Sequence, residues 1–195
     1  MALTHKFNEA LVMAVELHDG QTRKNTQIPY VSHLLGVCAI VLDCGGDEDE
    51  AIAALLHDAV EDQGGAPTLA RIRANFGDHV AEIVDGLSDA YGEPKAPWKD
   101  RKDAYLAGLG DHGESALLVS AADKLYNART ILKDYRETGE AVWARFNGGR
   151  DGTLWYYRTL LDALDGKGPA PLVSELRLVV EEIEALAGEC SIASP

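Results

Sequence analysis

Four side chains carry chemistry that clashes with their surroundings. Residues 51–56 (AIAALL) are apolar on every side, as in a buried helix, and run directly into His57, Asp58, Ala59, Val60, Glu61 and Asp62. His33 lies among Val31, Leu34 and Leu35, and Asp123 interrupts residues 117–126 (LLVSAADKLY), which otherwise read as buried helix. An unpaired carboxylate in a core is heavily penalised, and acids at a helix C-terminus oppose its dipole, so each of these groups needs a cation. One divalent ion bound by His33, His57, Asp58 and Asp123 answers all four demands. Two imidazoles with two carboxylates suit Mn²⁺, Fe²⁺ or Zn²⁺ better than Ca²⁺ or Mg²⁺, which favour oxygen alone. With residues 47–63 taken as one helix, His57 lies over Glu61 and Asp58 over Asp62, so Glu61 and Asp62 border the ion one turn further along. Lys124 is not expected to help Asp123, because neighbours in a helix point in different directions.

Helices must position these groups. Phe7, Leu11, Ala14, Val15 and Leu17 recur at helical spacing until Asp19-Gly20 ends the first helix. Pro29 opens a second, closed by Gly45-Gly46; Asp47 caps the third, whose first turn is acidic and which Gly64-Gly65 terminates. Shorter helices are expected over 68–76 and 78–87. A loop over 88–97, from Ser88 to Pro97, follows, then helices over 98–109, 114–135, 140–146, 153–164 and 172–186, with a frayed tail after Gly188. No period-2 run bounded by turns occurs, so the fold class is all-α: one helical bundle of about ten helices spanning residues 1–195.

The whole chain narrows the function further. At 195 residues it has the length of one domain, and 18 Lys and Arg against 32 Asp and Glu leave a net charge of −14. Such a surface repels duplex nucleic acid. Cys38, Cys44 and Cys190 show neither CxxC spacing nor a disulfide framework, which fits the reducing cytoplasm; the N-terminus lacks a signal-peptide pattern, no apolar run is long enough to span a membrane, and no partner protein is indicated. Lys95, Lys99, Arg101 and Lys102 form a basic group that steers a small anion or serves as a solvated helix face. His18-Asp19 reads as a helix end, Trp143 and Trp155-Tyr156-Tyr157 as core, and His5, His79 and His112 have no constellation around them.

An early His, then His-Asp, then a distant Asp, all on helices, resembles the HD superfamily of metal-dependent phosphohydrolases. More narrowly, Arg23-Lys24, Pro29-Tyr30 and His33, then His57-Asp58 with Glu61-Asp62, then residues 122–130 (ADKLYNART) resemble the (p)ppGpp hydrolase domain of RelA/SpoT proteins, above all the free-standing small alarmone hydrolases. The likeness covers about residues 5–165, leaving 166–195 as a C-terminal helix and tail, and no length remains for a synthetase. It implies one HD-type domain that hydrolyses the 3′-pyrophosphate of ppGpp or pppGpp to GDP or GTP and pyrophosphate. It also implies one Mn²⁺ per chain on His33, His57, Asp58 and Asp123, with Glu61 and Asp62 managing the attacking water. Arg23 and Lys24 would contact base and phosphates, Asn127 and Thr130 the ribose side, and Arg129 would offset phosphate charge. The chain departs from the family at Ser88-Asp89, where a Thr is usual. Relatives of the metazoan type make ppApp hydrolysis or NADPH 2′-dephosphorylation the alternatives on the same scaffold, and a non-catalytic nucleotide sensor the alternative from another class.

Overall fold

The computed structural model describes residues 2–88 and 96–192, the last four by backbone alone. Asp89, Gly92, Pro94 and Lys95 of the expected loop, and the Cys190 side chain, lie outside the described residues. All regular elements of the described chain are helical, with a single isolated antiparallel bridge, Thr22 to Pro29, in place of any strand. None of its helices is long and apolar enough to cross a membrane.

Two helices organise the rest. Helix α3 (Glu48–Leu56) starts at a capping box, in which Asp47 accepts from Glu50 N at 2.9 Å and Glu50 Oε2 accepts from Asp47 N at 2.7 Å. Its apolar run from Ala51 to Leu56 has no solvent exposure, because α1 (His5–Leu17), α2 (Val31–Asp43), α6 (Asp78–Leu87) and α8 (Glu114–Thr138) surround it. Helix α8 is the shared wall: α2, α3 and α6 pack on one side of it, and α10 (Ala170–Ile192) with the 3₁₀ segment Gly139–Arg145 on another. Helix α5 (Ala66–Phe76) covers α6, while α7 (Trp98–Gly108) and α10 both lie against α9 (Gly149–Leu164).

Several boundaries differ from the sequence reading. The third helix does not run to residue 63. It stops at Leu56, Asp58 takes φ −93° and ψ −6°, and α4 (Ala59–Asp62) is a single further turn. Asp58 thereby occupies the sparsely allowed bridge region, its carboxylate drawn toward His57 and Tyr30. In place of the helix expected over 140–146 stands the 3₁₀ segment Gly139–Arg145, and the last helix continues past Gly188 to Ile192, where fraying was expected.

Two local features bring the distant elements into register. Between α1 and α2 the chain folds tightly on itself: Arg23 N donates to Ile28 O at 2.8 Å, Tyr30 N to Gln21 O at 2.9 Å, and Asn25 accepts φ +58°, a conformation Asn tolerates. In mid-α2, Gly36 lets the Tyr126 ring of α8 lie directly on the helix. A Cβ at that position would come within 2.0 Å of the ring. Tyr126 packs 5.1 Å from the His33 ring, so this close approach sets the distance between the His33 and Asp123 helices.

Candidate active site

His33 comes from the first turn of α2, His57 and Asp58 from the turn after α3, and Asp123 from the middle of α8. Their polar atoms converge. His57 Nε2 lies 3.0 Å from Asp58 Oδ2 and 3.8 Å from Asp123 Oδ1; His33 Nε2 lies 3.4 and 3.2 Å from the same two oxygens. The two Nε2 atoms are 3.3 Å apart. Divalent transition ions sit about 2.0 to 2.2 Å from such ligands, which spaces the ligand atoms roughly 3 to 3.5 Å from one another. His57 Nδ1 donates to Ala54 O at 2.8 Å, so the neutral ring presents a bare Nε2 lone pair to the cluster. His33, His57 and Asp58 group as a set able to hold a metal ion, and the distances to Asp123 add a fourth donor.

Each carboxylate accepts from further donors, two of them on the very oxygens that face the histidines. Tyr30 donates its hydroxyl to Asp58 Oδ2 at 2.5 Å, and Asn127 Nδ2 donates to Asp123 Oδ1 at 2.6 Å. Lys124 Nζ reaches Asp123 Oδ2 at 2.5 Å, contrary to the expectation that adjacent helix positions diverge, and lies 5.0 Å from the centre of the Tyr105 ring. The electrostatics follow. Burial alone would raise the carboxyls of Asp58 and Asp123, yet His57 and His33 beside the first, and Lys124 and the same histidines beside the second, hold both well below the usual carboxylate range. Burial opposes charge on His57, but the two aspartates outweigh it and hold the imidazole well above its ordinary value. The cluster therefore favours positive charge on His57.

The cluster closes one end of a cleft of about 310 Å³, whose walls include Arg23, Glu61, Trp98, Arg101 and Lys102. Beyond it opens a second compartment of about 300 Å³ that shares Arg23, Trp98, Lys102, Lys124 and Asn127 and adds Lys24, Thr130, Phe146, Asn147, Tyr156 and Tyr157. Asn127 forms the partition, its amide oxygen accepting from Arg23 Nη2 at 2.6 Å while its nitrogen holds Asp123. Arg23 also lies over the rings of Tyr30 and Tyr126, at 5.7 and 5.9 Å. Lys24 donates to Asn147 Oδ1 at 3.0 Å, and Thr130 returns its hydroxyl to Tyr126 O at 2.9 Å.

Glu61 and Asp62 part company. Glu61 stands on the cleft wall, 3.7 Å from Arg101 Nη1, whereas Asp62 faces the segment between α1 and α2 and accepts from Gln21 Nε2 at 2.9 Å. Partial burial, then the charges of Asp58 and Glu61, raise the Asp62 carboxyl above its ordinary value. Arg129 is not brought to the site. Two residues beyond Asn127, it leaves α8 on the opposite face and pairs with Glu175 of α10. Arg101 and Lys102, equally readable from sequence as a solvated face, enter the cleft, while Lys99 lies over the Trp155 ring at 3.7 Å. Trp143, Tyr156 and Tyr157 are core, as expected, but the last two also line the second compartment. Trp98 entered the sequence reading only as the start of a helix, with no role at the site; its one signal is an aromatic immediately before the basic residues of α7.

The model of the HD domain family matches residues 10–154. The chain belongs to the HD domain family. Among proteins of this family, it is 40% identical over 128 residues to the guanosine-3′,5′-bis(diphosphate) 3′-pyrophosphohydrolase MESH1 of Xenopus tropicalis, covering 64% of this chain and 69% of that one. It is 30% identical over 132 residues to the bifunctional (p)ppGpp synthase/hydrolase SpoT of Escherichia coli, covering 65% of this chain but 18% of SpoT. The solved structure of a metazoan ortholog of SpoT that hydrolyses ppGpp superimposes with a TM-score of 0.79 at 28% identity, over 94% of this chain and 98% of that one. This HD domain chain thus shares its architecture with that ortholog over the 94% of its length that superimposes.

Proposed function

We propose that residues 1–195 form one HD-type domain that hydrolyses the 3′-pyrophosphate of ppGpp and pppGpp in the cytoplasm, with one Mn²⁺ held by His33, His57, Asp58 and Asp123. The observation that carries this reading is the convergence of those four donors at the closed end of a cleft lined by Arg23, Lys102 and Lys124. The likeness to MESH1 supports the substrate class.

A divalent ion on these ligands would supply Lewis acidity toward a phosphoryl oxygen and acidify water. The remaining chemistry belongs to the chain. Arg23, Lys102 and Lys124 offset phosphate charge on a protein that is otherwise acidic, and because Asn127 and two rings hold the Arg23 guanidinium, little reorganisation accompanies binding. Glu61 takes a proton from the attacking water, with Asp62 beside it. Water oxygen bonds to the phosphorus attached to the ribose 3′-oxygen, that P–O bond breaks, and the 3′-oxygen is protonated as pyrophosphate leaves. Phe146, Trp98, Tyr156 and Tyr157 give the second compartment the aromatic walls that a purine requires, with Thr130 and Asn127 on its ribose side.

A panel tests this. Protein with Mn²⁺ is offered ppGpp, pppGpp, ppApp, NADPH and a 5′-mononucleotide, with products resolved by ion-exchange chromatography. Release of pyrophosphate from the guanine substrates is expected. Cleavage of the 5′-mononucleotide to nucleoside while the 3′-pyrophosphates survive would overturn the reading.

A further inference from the structure

His18, which the sequence presents only as a helix end, is 4% exposed. Its ring stacks on Tyr30 at 5.1 Å and 15°, and its Nδ1 lies 2.7 Å from Gln21 Oε1. Gln21 Oε1 also accepts from Gln63 Nε2 at 2.5 Å, while Gln21 Nε2 donates to Asp62 Oδ2 at 2.9 Å. The polarity of this chain follows from its last member. An ionised carboxylate only accepts, so Gln21 turns its NH₂ toward Asp62 and its oxygen toward His18 and Gln63. That oxygen in turn only accepts, which places the His18 proton on Nδ1.

The backbone holds Gln21 as firmly as its side-chain partners do: Gln21 N donates to His18 O at 3.1 Å, and Tyr30 N donates to Gln21 O at 2.9 Å. Asp62, by contrast, is the exposed last residue of a single helical turn, where a carboxylate left alone would sample several rotamers. We infer that Gln21, oriented by His18 and Gln63, is a positioning residue that aims the Asp62 carboxylate for proton transfer. This rests on the hydrolytic reading above.

The test is a double-mutant cycle, run with whichever nucleotide of the panel the native protein cleaves fastest. Gln21→Leu keeps bulk and removes both hydrogen-bonding functions. It should lower kcat by about tenfold to a hundredfold, the usual effect of losing a group that orients a site residue, with KM, bound Mn²⁺ and melting temperature unchanged. In an Asp62→Asn background the same change should have less than about a twofold effect, since a residue acting only through Asp62 has nothing left to act on. His18→Phe, which keeps a ring on Tyr30 but has no donor, should lower kcat in the same direction. His18→Asn, whose amide nitrogen stands where Nδ1 stood, should restore most of it. Equal loss in both backgrounds, or loss of kcat matched by loss of ion or of melting temperature, would overturn the inference. A native protein that cleaves NADPH or ppApp but not ppGpp would overturn the substrate reading while leaving the cycle to judge Gln21; one that cleaves nothing in the panel would overturn both.

Discussion

The two ends of the cleft are built on different principles. At the closed end both carboxylates of the cluster accept further hydrogen bonds, from Tyr30, Lys124 and Asn127, and the histidines are all but fully buried. At the open end, the walls are aromatic rings and long cations such as Lys24, which is exposed and makes one hydrogen bond to Asn147. The closed end is over-determined because a misplaced donor atom would forfeit the proposed ion. The open end is looser because stacking and charge tolerate displacements of an ångström or so. Changes at the closed end should therefore abolish function, and changes at the open end should only weaken binding.

The largest effect is expected from Asp123→Asn. It removes a ligand charge and leaves Lys124 buried against an amide, so metal content and activity should both vanish and stability fall by on the order of 3 kcal/mol. Metal analysis, kinetics and thermal melts check all three; retention of the ion would show the closed end to be less tightly specified than its geometry suggests. Next come Glu61→Gln and Asp62→Asn, expected to lower kcat by about 10² to 10⁴ with about one ion still bound per chain, because they remove an acid or base and no ligand. If these variants also shed the ion, the boundary between the cluster and its neighbours lies one helical turn further along.

A pH series sharpens the same contrast. Asp58 and Asp123 hold the His57 imidazole well above its ordinary value, so a proton competes with the proposed Mn²⁺ for its ring. Apparent Mn²⁺ affinity should accordingly rise by about tenfold per pH unit until the His57 pKa is passed, with matching proton release in calorimetry across buffers of different ionisation enthalpy. A flat profile from pH 6 to 8 would mean that His57 is already neutral. At the open end, Arg23→Ala and Lys24→Ala should raise KM by about tenfold or less while kcat changes little, Arg23 the more strongly because it spans both compartments. The smallest effect belongs to Arg129→Ala. Its exposed pair with Glu175 faces away from the cleft, so kcat and KM should stay within about twofold and stability within about 1 kcal/mol.

Legibility followed the same division. The cluster could be read because a charge inside an apolar helix is an anomaly that requires an explanation, and His33, His57, Asp58 and Asp123 each break an otherwise apolar run. Arg101, Lys102 and Trp98 could not, since basic residues and an aromatic on an amphipathic helix look the same whether they face water or a nucleotide. Arg129 misled for a related reason. It sits in the same block as Asp123 and Asn127, but an advance of six residues along α8 carries the side chain to a different face, where Glu175 meets it.

By itself, the sequence determined the helical class, the order and approximate extent of the helices, and the four residues that converge, with their mixed nitrogen and oxygen character. Periodicity, caps and buried charge are local properties, written within a few turns of chain. Tertiary structure alone decided that α3 breaks at His57-Asp58, that Lys124 closes on Asp123, that Glu61 and Asp62 face different neighbours, and that Gly36 admits Tyr126 between the His33 and Asp123 helices. Each of these depends on where a second element, remote in sequence, comes to rest against the first. A residue's direction is set by the helix face that packing buries, and that choice is made by the whole core at once.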